Sequence, residues 1–245
     1  MGKPYKLLAL DMDGTLLNEK SEISAENERW IRAAIDAGVT VCFATGRGYA
    51  SALPYAEQLG LTSPMVLVNG GEVWTSPAEL RTRRTMKASD VAALRELALR
   101  YDTWYWAYSV ERVYNKTDWI EDVHSTEWLK FGYYSEDEAA RAGVTEGIRA
   151  IGAFETTNSH PYNLELNPPG VSKASGLREV CALLGIGMDE IVACGDSLND
   201  AAMIVEAGLG VAMGNAQEEV KRIADAVTLT NEEDGVAHVI RTYLL

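Results

Sequence analysis

Four times along this chain an apolar run stops at a polar turn. Leu7–Leu10 ends at Asp11-Met12-Asp13-Gly14-Thr15, residues 39–44 at Thr45-Gly46-Arg47-Gly48, residues 65–68 at Asn69-Gly70-Gly71, and residues 190–194 at Gly195-Asp196-Ser197-Leu198-Asn199-Asp200. Short runs this uniformly apolar read as strands buried on both faces. Helical stretches separate them. In the first, Ser24 is placed to cap, Trp30, Ile31, Ala34 and Ile35 form one apolar side, and Gly38 ends the helix. A second helix is expected over residues 51–59. Strand, helix, strand, helix, strand specifies an α/β fold with a doubly wound parallel sheet.

The rhythm breaks between residues 82 and 168. The pattern there predicts helices over 89–100, around Trp119 and over 136–150. It predicts strands over 104–108, 112–115, 128–133, 153–157 and 162–167. Adjacent strands with short links imply an antiparallel sheet with helices on one face. The expected organisation is therefore a core of residues 1–81 and 169–245 interrupted by an α+β cap of residues 82–168, which would select the substrate. Alternation puts Trp104, Trp106 and Tyr108 on one face of a strand and Tyr105 on the other. The tryptophan face is expected to pack against the helices. Lys116, His124, Lys130, Asn163 and Glu165 are candidate polar contacts of the cap. After residue 168 the α/β rhythm returns: Ser172 caps a helix buried through Leu177, Val180, Leu183 and Leu184, and strands at 190–194, 209–213 and 226–229 alternate with helices at 203–206, 216–224 and the C-terminal end.

In a parallel α/β sheet the carboxyl ends of the strands share one edge, where ligands bind. All four polar turns then face one crevice. It gathers Asp11, Asp13, Asp196 and Asp200 with Thr45, and with Lys173 if its helix starts at that edge. Two acids closing a buried strand repel each other and lose hydration, a costly arrangement unless a cation or a donor network compensates. So many carboxylates with one lysine call for a hard cation, and oxygen ligands suit Mg²⁺. The alternatives are local: Asp-Gly is a common turn dipeptide, Asp200 can cap the helix it opens, Asn69 suits an Asn-Gly turn for conformational reasons, and Arg47 can be a surface arginine.

Charge narrows the partners. With 22 basic against 36 acidic residues the formal net charge is -14, and no Lys/Arg block stands out. Binding to nucleic acid or an anionic membrane is not expected. No stretch approaches the roughly 20 apolar residues of a membrane span, and no long apolar run follows a basic head at the start, so a cytoplasmic protein is expected. Cys42, Cys181 and Cys194 lie in apolar contexts and read as small core residues of a reducing compartment. His124, His160 and His238 are too scattered to suggest a metal cluster.

With these motifs in place the chain resembles the haloacid dehalogenase superfamily of phosphohydrolases. The resemblance is carried by Asp11-Met12-Asp13-Gly14-Thr15, Thr45-Gly46-Arg47, Lys173 and Gly195-Asp196-Ser197-Leu198-Asn199-Asp200, in the family's order. The insertion between the second and third motifs is similar to the cap of the Cof-type, or class IIB, branch. The resemblance implies a Rossmann-like core and a Mg²⁺-dependent phosphatase acting on a small phosphorylated metabolite, such as a sugar phosphate or a phosphoglycolate-like compound. Asp11 would be the nucleophile that forms an aspartyl-phosphate, and Asp13 the general acid and base. Asp11, the Asp13 carbonyl, Asp196 and Asp200 would hold the metal. Thr45, Gly46, Arg47, Lys173 and Asn199 would bind substrate. A phosphomutase of the same superfamily and a catalytically silent binding protein are the competing readings. A monomer or homodimer is expected.

Overall fold

The computed structural model describes residues 5–245. Residues 1–4, on which part of the reading about a leader falls, lie outside the described residues. Ahead of the insertion come β1 (Leu7–Leu10), α1 (Ala25–Asp36), β2 (Thr40–Phe43), α2 (Tyr49–Leu59), β3 (Met65–Leu67), β4 (Glu72–Ser76) and β5 (Glu79–Arg83). The insertion carries α3 (Ala88–Arg100), β6 (Trp104–Ser109), β7 (Val113–Asn115), β8 (Trp128–Tyr134), α4 (Glu138–Ile151), β9 (Glu155–Thr157) and β10 (Asn163–Asn167). Beyond it lie α5 (Lys173–Leu184), β11 (Ile191–Gly195), α6 (Ala201–Glu206), β12 (Leu209–Ala212), α7 (Glu218–Ile223), β13 (Ala226–Val227) and α8 (Gly235–Val239), followed by a wide final turn over Ile240–Leu244. The chain divides into two compact units, one made of the residues up to Thr82 with Ser172–Leu245, the other of Arg83–Val171. No helix among the described residues is long and apolar enough to cross a membrane.

The first unit is built on a five-stranded sheet in the order β13-β12-β11-β1-β2, and its pairings are parallel. β1 sits between β11 and β2 with all four residues buried, which accounts for its lack of apolar-polar alternation. Ser24 caps α1 by accepting from the Asn27 amide at 3.0 Å. Leu7, Ala9, Ile191 and Ala193 of the sheet pack with Ala174, Leu177, Val180 and Cys181 of α5. Cys42 lies in this interior and Cys194 is buried elsewhere in the same unit, and burial pushes each thiol up to about 12 and leaves it inert at neutral pH.

One strand departs from expectation. β3 was expected as a third member of the parallel sheet, yet it pairs antiparallel with β4 in a separate three-stranded sheet, β3-β4-β5. It touches the main sheet through a single parallel bridge from Val66 to Ala44. Val68, expected to end that strand, instead turns into the left-handed region (φ 53°), as does Asn69 (φ 56°). For a β-branched residue this is a strained conformation. Hydrogen bonds from the Val68 amide to the Arg47 carbonyl (3.0 Å) and from the Asn69 amide to the Thr45 carbonyl (2.9 Å) hold it there.

The second unit is an antiparallel sheet in the order β7-β6-β8-β10-β9. Val91, Leu94 and Leu97 of α3 and Val144 and Ile148 of α4 pack with Tyr105, Ala107, Phe131, Tyr133 and Leu166 of the sheet. The helices therefore cover the face opposite to the one expected. Tyr105 is buried, while Trp104 is 42% exposed and Trp106 and Tyr108 are half-buried. Period-two alternation separates the faces of a strand but does not say which face the helices take. The helix expected around Trp119 is also absent. Trp119 stacks on Trp128 (centroids 5.5 Å apart, planes at 6°), and the helical turn lies later, at Val123–Ser125. On the sheet face away from the helices, Lys130 and Glu165 form a buried ion pair (3.2 Å), with the Lys130 ammonium 4.6 Å from the Tyr108 ring centre.

Candidate active site

The register of the main sheet decides which turns meet. Leu10 lies opposite Cys194 on one side and Phe43 on the other, and the Asp11 amide donates to the Cys194 carbonyl at 3.0 Å. The loops opening at Asp11, Thr45 and Asp196 therefore leave the sheet side by side, at the carboxyl edge. Lys173 is the first residue of α5. Ser172 caps that helix in a reciprocal box with Ser175: the Ser175 amide donates to Ser172 Oγ at 3.2 Å and the Ser172 amide to Ser175 Oγ at 2.9 Å. Gly70 makes the approach possible. Its φ is +95°, and a Cβ there would sit 2.2 Å from the Ser172 carbonyl oxygen.

At the centre, the Lys173 ammonium donates to Asp11 Oδ1 and to Asp200 Oδ1, each at 2.6 Å, and all three side chains are buried. Burial alone would lower the lysine, but the two carboxylates carry it above its ordinary value and keep it charged. Burial, then the neighbouring Asp200, raises the Asp11 carboxyl well above the usual range, against the pull of Lys173. The Asp196 carboxyl is pushed up to about 7 by burial and by Asp200. Carboxylate oxygens of Asp11, Asp196 and Asp200 lie within 4.8 Å of one another. One ammonium does not offset three acids at this spacing, and a hard divalent cation with oxygen ligands fits the remaining deficit.

The acids differ in what their oxygens already do. Asp200 uses Oδ1 on Lys173, while its Oδ2 accepts from the Asp196 amide (2.9 Å) and the Ser197 amide (3.0 Å). It braces the turn and pairs with the lysine at once, but its side chain makes no capping bond to α6, the helix it was expected to cap; both of its remaining contacts are to amides that precede it. Asp196 accepts from Ser197 Oγ (2.8 Å) and Thr15 Oγ1 (3.3 Å). Gly14 lets its loop come this close: with φ at +76°, a Cβ would fall 2.6 Å from Asp196 Oδ2.

The remaining expected residues lie on the same polar turns, some beside this cluster and some away from it. Thr45 is buried, and its Oγ1 accepts from the Arg47 amide at 3.1 Å. The Asn199 side-chain amide donates to Asn69 Oδ1 at 3.3 Å, joining the third polar turn to the fourth. Asp13 and Arg47 stand apart from the carboxylate group. The Arg47 Nε donates to Asp13 Oδ2 at 2.8 Å and its Nη2 to Asp13 Oδ1 at 2.6 Å. Sequence reasoning passed over Thr15, Ser197 and Asn215, the last of which donates to the Gly14 carbonyl at 2.8 Å. The signal for Asn215 was present: Met213-Gly214-Asn215 is a further polar, glycine-containing turn at the end of an apolar strand.

Comparison with known proteins places this geometry in context. The sequence profile of the haloacid dehalogenase-like hydrolases matches residues 8–145 and 115–240. The chain is 45% identical over 240 residues to the 5-amino-6-(5-phospho-D-ribitylamino)uracil phosphatase YcsE of Bacillus subtilis, covering 98% of this chain and 96% of that protein. It is 31% identical to the phosphoglycolate phosphatase of Methanopyrus kandleri, covering 97% of each. Among solved structures, a haloacid dehalogenase-like hydrolase from B. subtilis superposes with a TM-score of 0.89 at 27% identity, covering 98% of this chain and 100% of that one.

Proposed function

The chain belongs to the haloacid dehalogenase-like hydrolases and is a phosphatase, and from that premise we propose that it is Mg²⁺-dependent and works through an aspartyl-phosphate on Asp11. The observation that carries the reading is the Asp11–Lys173–Asp200 chain of 2.6 Å contacts beside Asp196. Asp11 attacks phosphorus, and Lys173 holds its carboxylate in one orientation. Asp13 protonates the leaving oxygen and then takes a proton from the hydrolytic water. Thr45, the Gly46 amide and Lys173 grip the phosphoryl oxygens. Asn199 helps to hold the substrate. Asp11, Asp196 and the Asp13 carbonyl are the proposed metal ligands, with Asp200 assisting from its place on Lys173. The bound ion supplies charge neutralisation for the phosphoryl group.

For the substrate we propose a small metabolite whose phosphate ends a sugar or sugar-alcohol chain. The relative named for 5-amino-6-(5-phospho-D-ribitylamino)uracil supports the ribityl phosphate ahead of phosphoglycolate, because its identity of 45% exceeds the 31% of the phosphoglycolate phosphatase. The inserted unit is proposed to carry substrate selection. The test is a panel of these esters and simple sugar phosphates, assayed with Mg²⁺ and with EDTA. Phosphate release is expected only with the metal, fastest on the ribityl ester. Equal release in EDTA would overturn the metal dependence, and a faster sugar phosphate or phosphoglycolate would overturn the substrate.

A second result follows from Asp196. Its carboxyl, at about 7 in the folded chain against an ordinary 3.8, retains a proton that the unfolded chain has already lost. The folded state binds more protons across that window, so stability is highest below it and falls as pH rises through it. Asp11, also raised, acts in the same direction. In EDTA the melting temperature should therefore drop between about pH 5 and about pH 8, and Mg²⁺ should restore it mainly at the higher pH. A melting temperature in EDTA that rises over this range would contradict the assignment.

A further inference from the structure

Arg47 follows Thr45-Gly46, where a side chain would be expected to reach for substrate. Its fork is occupied elsewhere. Nε and Nη2 meet the two oxygens of Asp13 at 2.8 and 2.6 Å, a two-point geometry that only a guanidinium provides. The guanidinium carbon lies 5.2 Å from the centre of the Tyr55 ring, and Tyr55 is itself fixed by a 2.8 Å hydrogen bond to the Ser21 carbonyl. The arginine side chain is 20% exposed, whereas that of Asp13 is 60% exposed. The more rigid partner is thus the arginine, anchored between a ring and its own turn, and the more exposed one is the aspartate.

That asymmetry has a chemical meaning. An exposed carboxylate would otherwise sample several rotamers, and a general acid must stand within hydrogen-bond reach of the leaving oxygen to be useful. We propose that Arg47 is the positioning residue of Asp13: the clamp confines the carboxyl group to one orientation, and the Tyr55 ring and the 3.1 Å bond from the Arg47 amide to Thr45 Oγ1 register the clamp to the phosphate-binding turn. The inference rests on the aspartyl-phosphate reading and adds to it a route by which the second and first motifs act together.

The test exploits leaving-group chemistry. Values of kcat/KM, which report steps up to release of the leaving group, are measured on aryl and alkyl monophosphates of graded leaving-group basicity, for the wild type, Arg47→Met, Arg47→Lys, Asp13→Asn and the Arg47→Met/Asp13→Asn double variant. A nitrophenolate leaves with little help from an acid, while an alkoxide needs it. Arg47→Met should lose about 10- to 100-fold on alkyl esters and about threefold on the best aryl ester, with Arg47→Lys in between. The double variant should be no slower than Asp13→Asn alone, because the arginine has nothing left to position. Activity on the aryl ester also demonstrates that the variant is folded. A loss of equal size across the series would make Arg47 a substrate ligand and overturn the proposal, as would additive losses in the double variant. If Asp13→Asn itself gave no steeper dependence on the leaving group, the fault would lie with the acid-base assignment of Asp13.

Discussion

Asp11→Asn is expected to reduce phosphate release by about 10⁴-fold or more while leaving a folded protein of undiminished stability in EDTA. The amide keeps the shape of the side chain but removes the proposed nucleophile. It also removes one of three acids whose oxygens lie within 4.8 Å of one another. The native carboxyl is raised well above its usual range, chiefly by burial, so its charge is opposed by the fold. Replacing it relieves that opposition, whereas an ordinary buried ion-pair deletion is destabilising. The Lys173 ammonium retains its 2.6 Å bond to Asp200 and is not left unpaired. A phosphate-release assay and a thermal melt of the same preparation check both halves. Substantial turnover in the variant would remove Asp11 from the nucleophile's role.

Lys173→Met should have the opposite balance, costing stability as well as turnover. The ammonium is completely buried between Asp11 and Asp200, with an oxygen of each at 2.6 Å. Methionine fills similar space but leaves two buried carboxylates facing each other without a cation, a loss of about 3–5 kcal/mol at neutral pH. Protonation of the acids relieves the repulsion, so the deficit should shrink as the pH is lowered, and added Mg²⁺ should recover part of it. Urea denaturation of the wild type and the variant, at acid and at neutral pH, measures this directly. A pH-independent deficit would mean that the lysine contributes packing alone. Turnover should fall by about 10²- to 10³-fold, since the group proposed to orient the nucleophile and to meet the phosphoryl oxygens is gone.

Much of the site can be read from the chain because its parts obey local rules. Asp11 and Asp196 follow fully buried strands, where a carboxylate is conspicuous, and Lys173 follows Ser172, whose capping box is local in sequence. The less legible parts depend on partners remote in sequence. Nothing in Thr45-Gly46-Arg47 indicates that its arginine will close on Asp13, 34 positions earlier. β3 looks like any buried strand, and only its antiparallel pairing with β4 removes it from the parallel sheet. β5, with its exposed and half-buried residues in alternation, offers no apolar run to betray it. Trp119 lies in a stretch with helical spacing, but its stacking on Trp128 is tertiary.

The position of β1 has a consequence for how the protein is made. One neighbour, β2, follows within a few dozen residues, but the other, β11, pairs Leu7 with Ile191. A ribosome must therefore release the whole insertion before the strand bearing Asp11 can be closed on its second side. The insertion's sheet and helices draw on partners within Arg83–Val171 and can mature during that interval. Throughout it the emerging chain holds out an apolar strand with one vacant edge, a natural handle for a chaperone and the point at which slow synthesis or truncation would lead to aggregation.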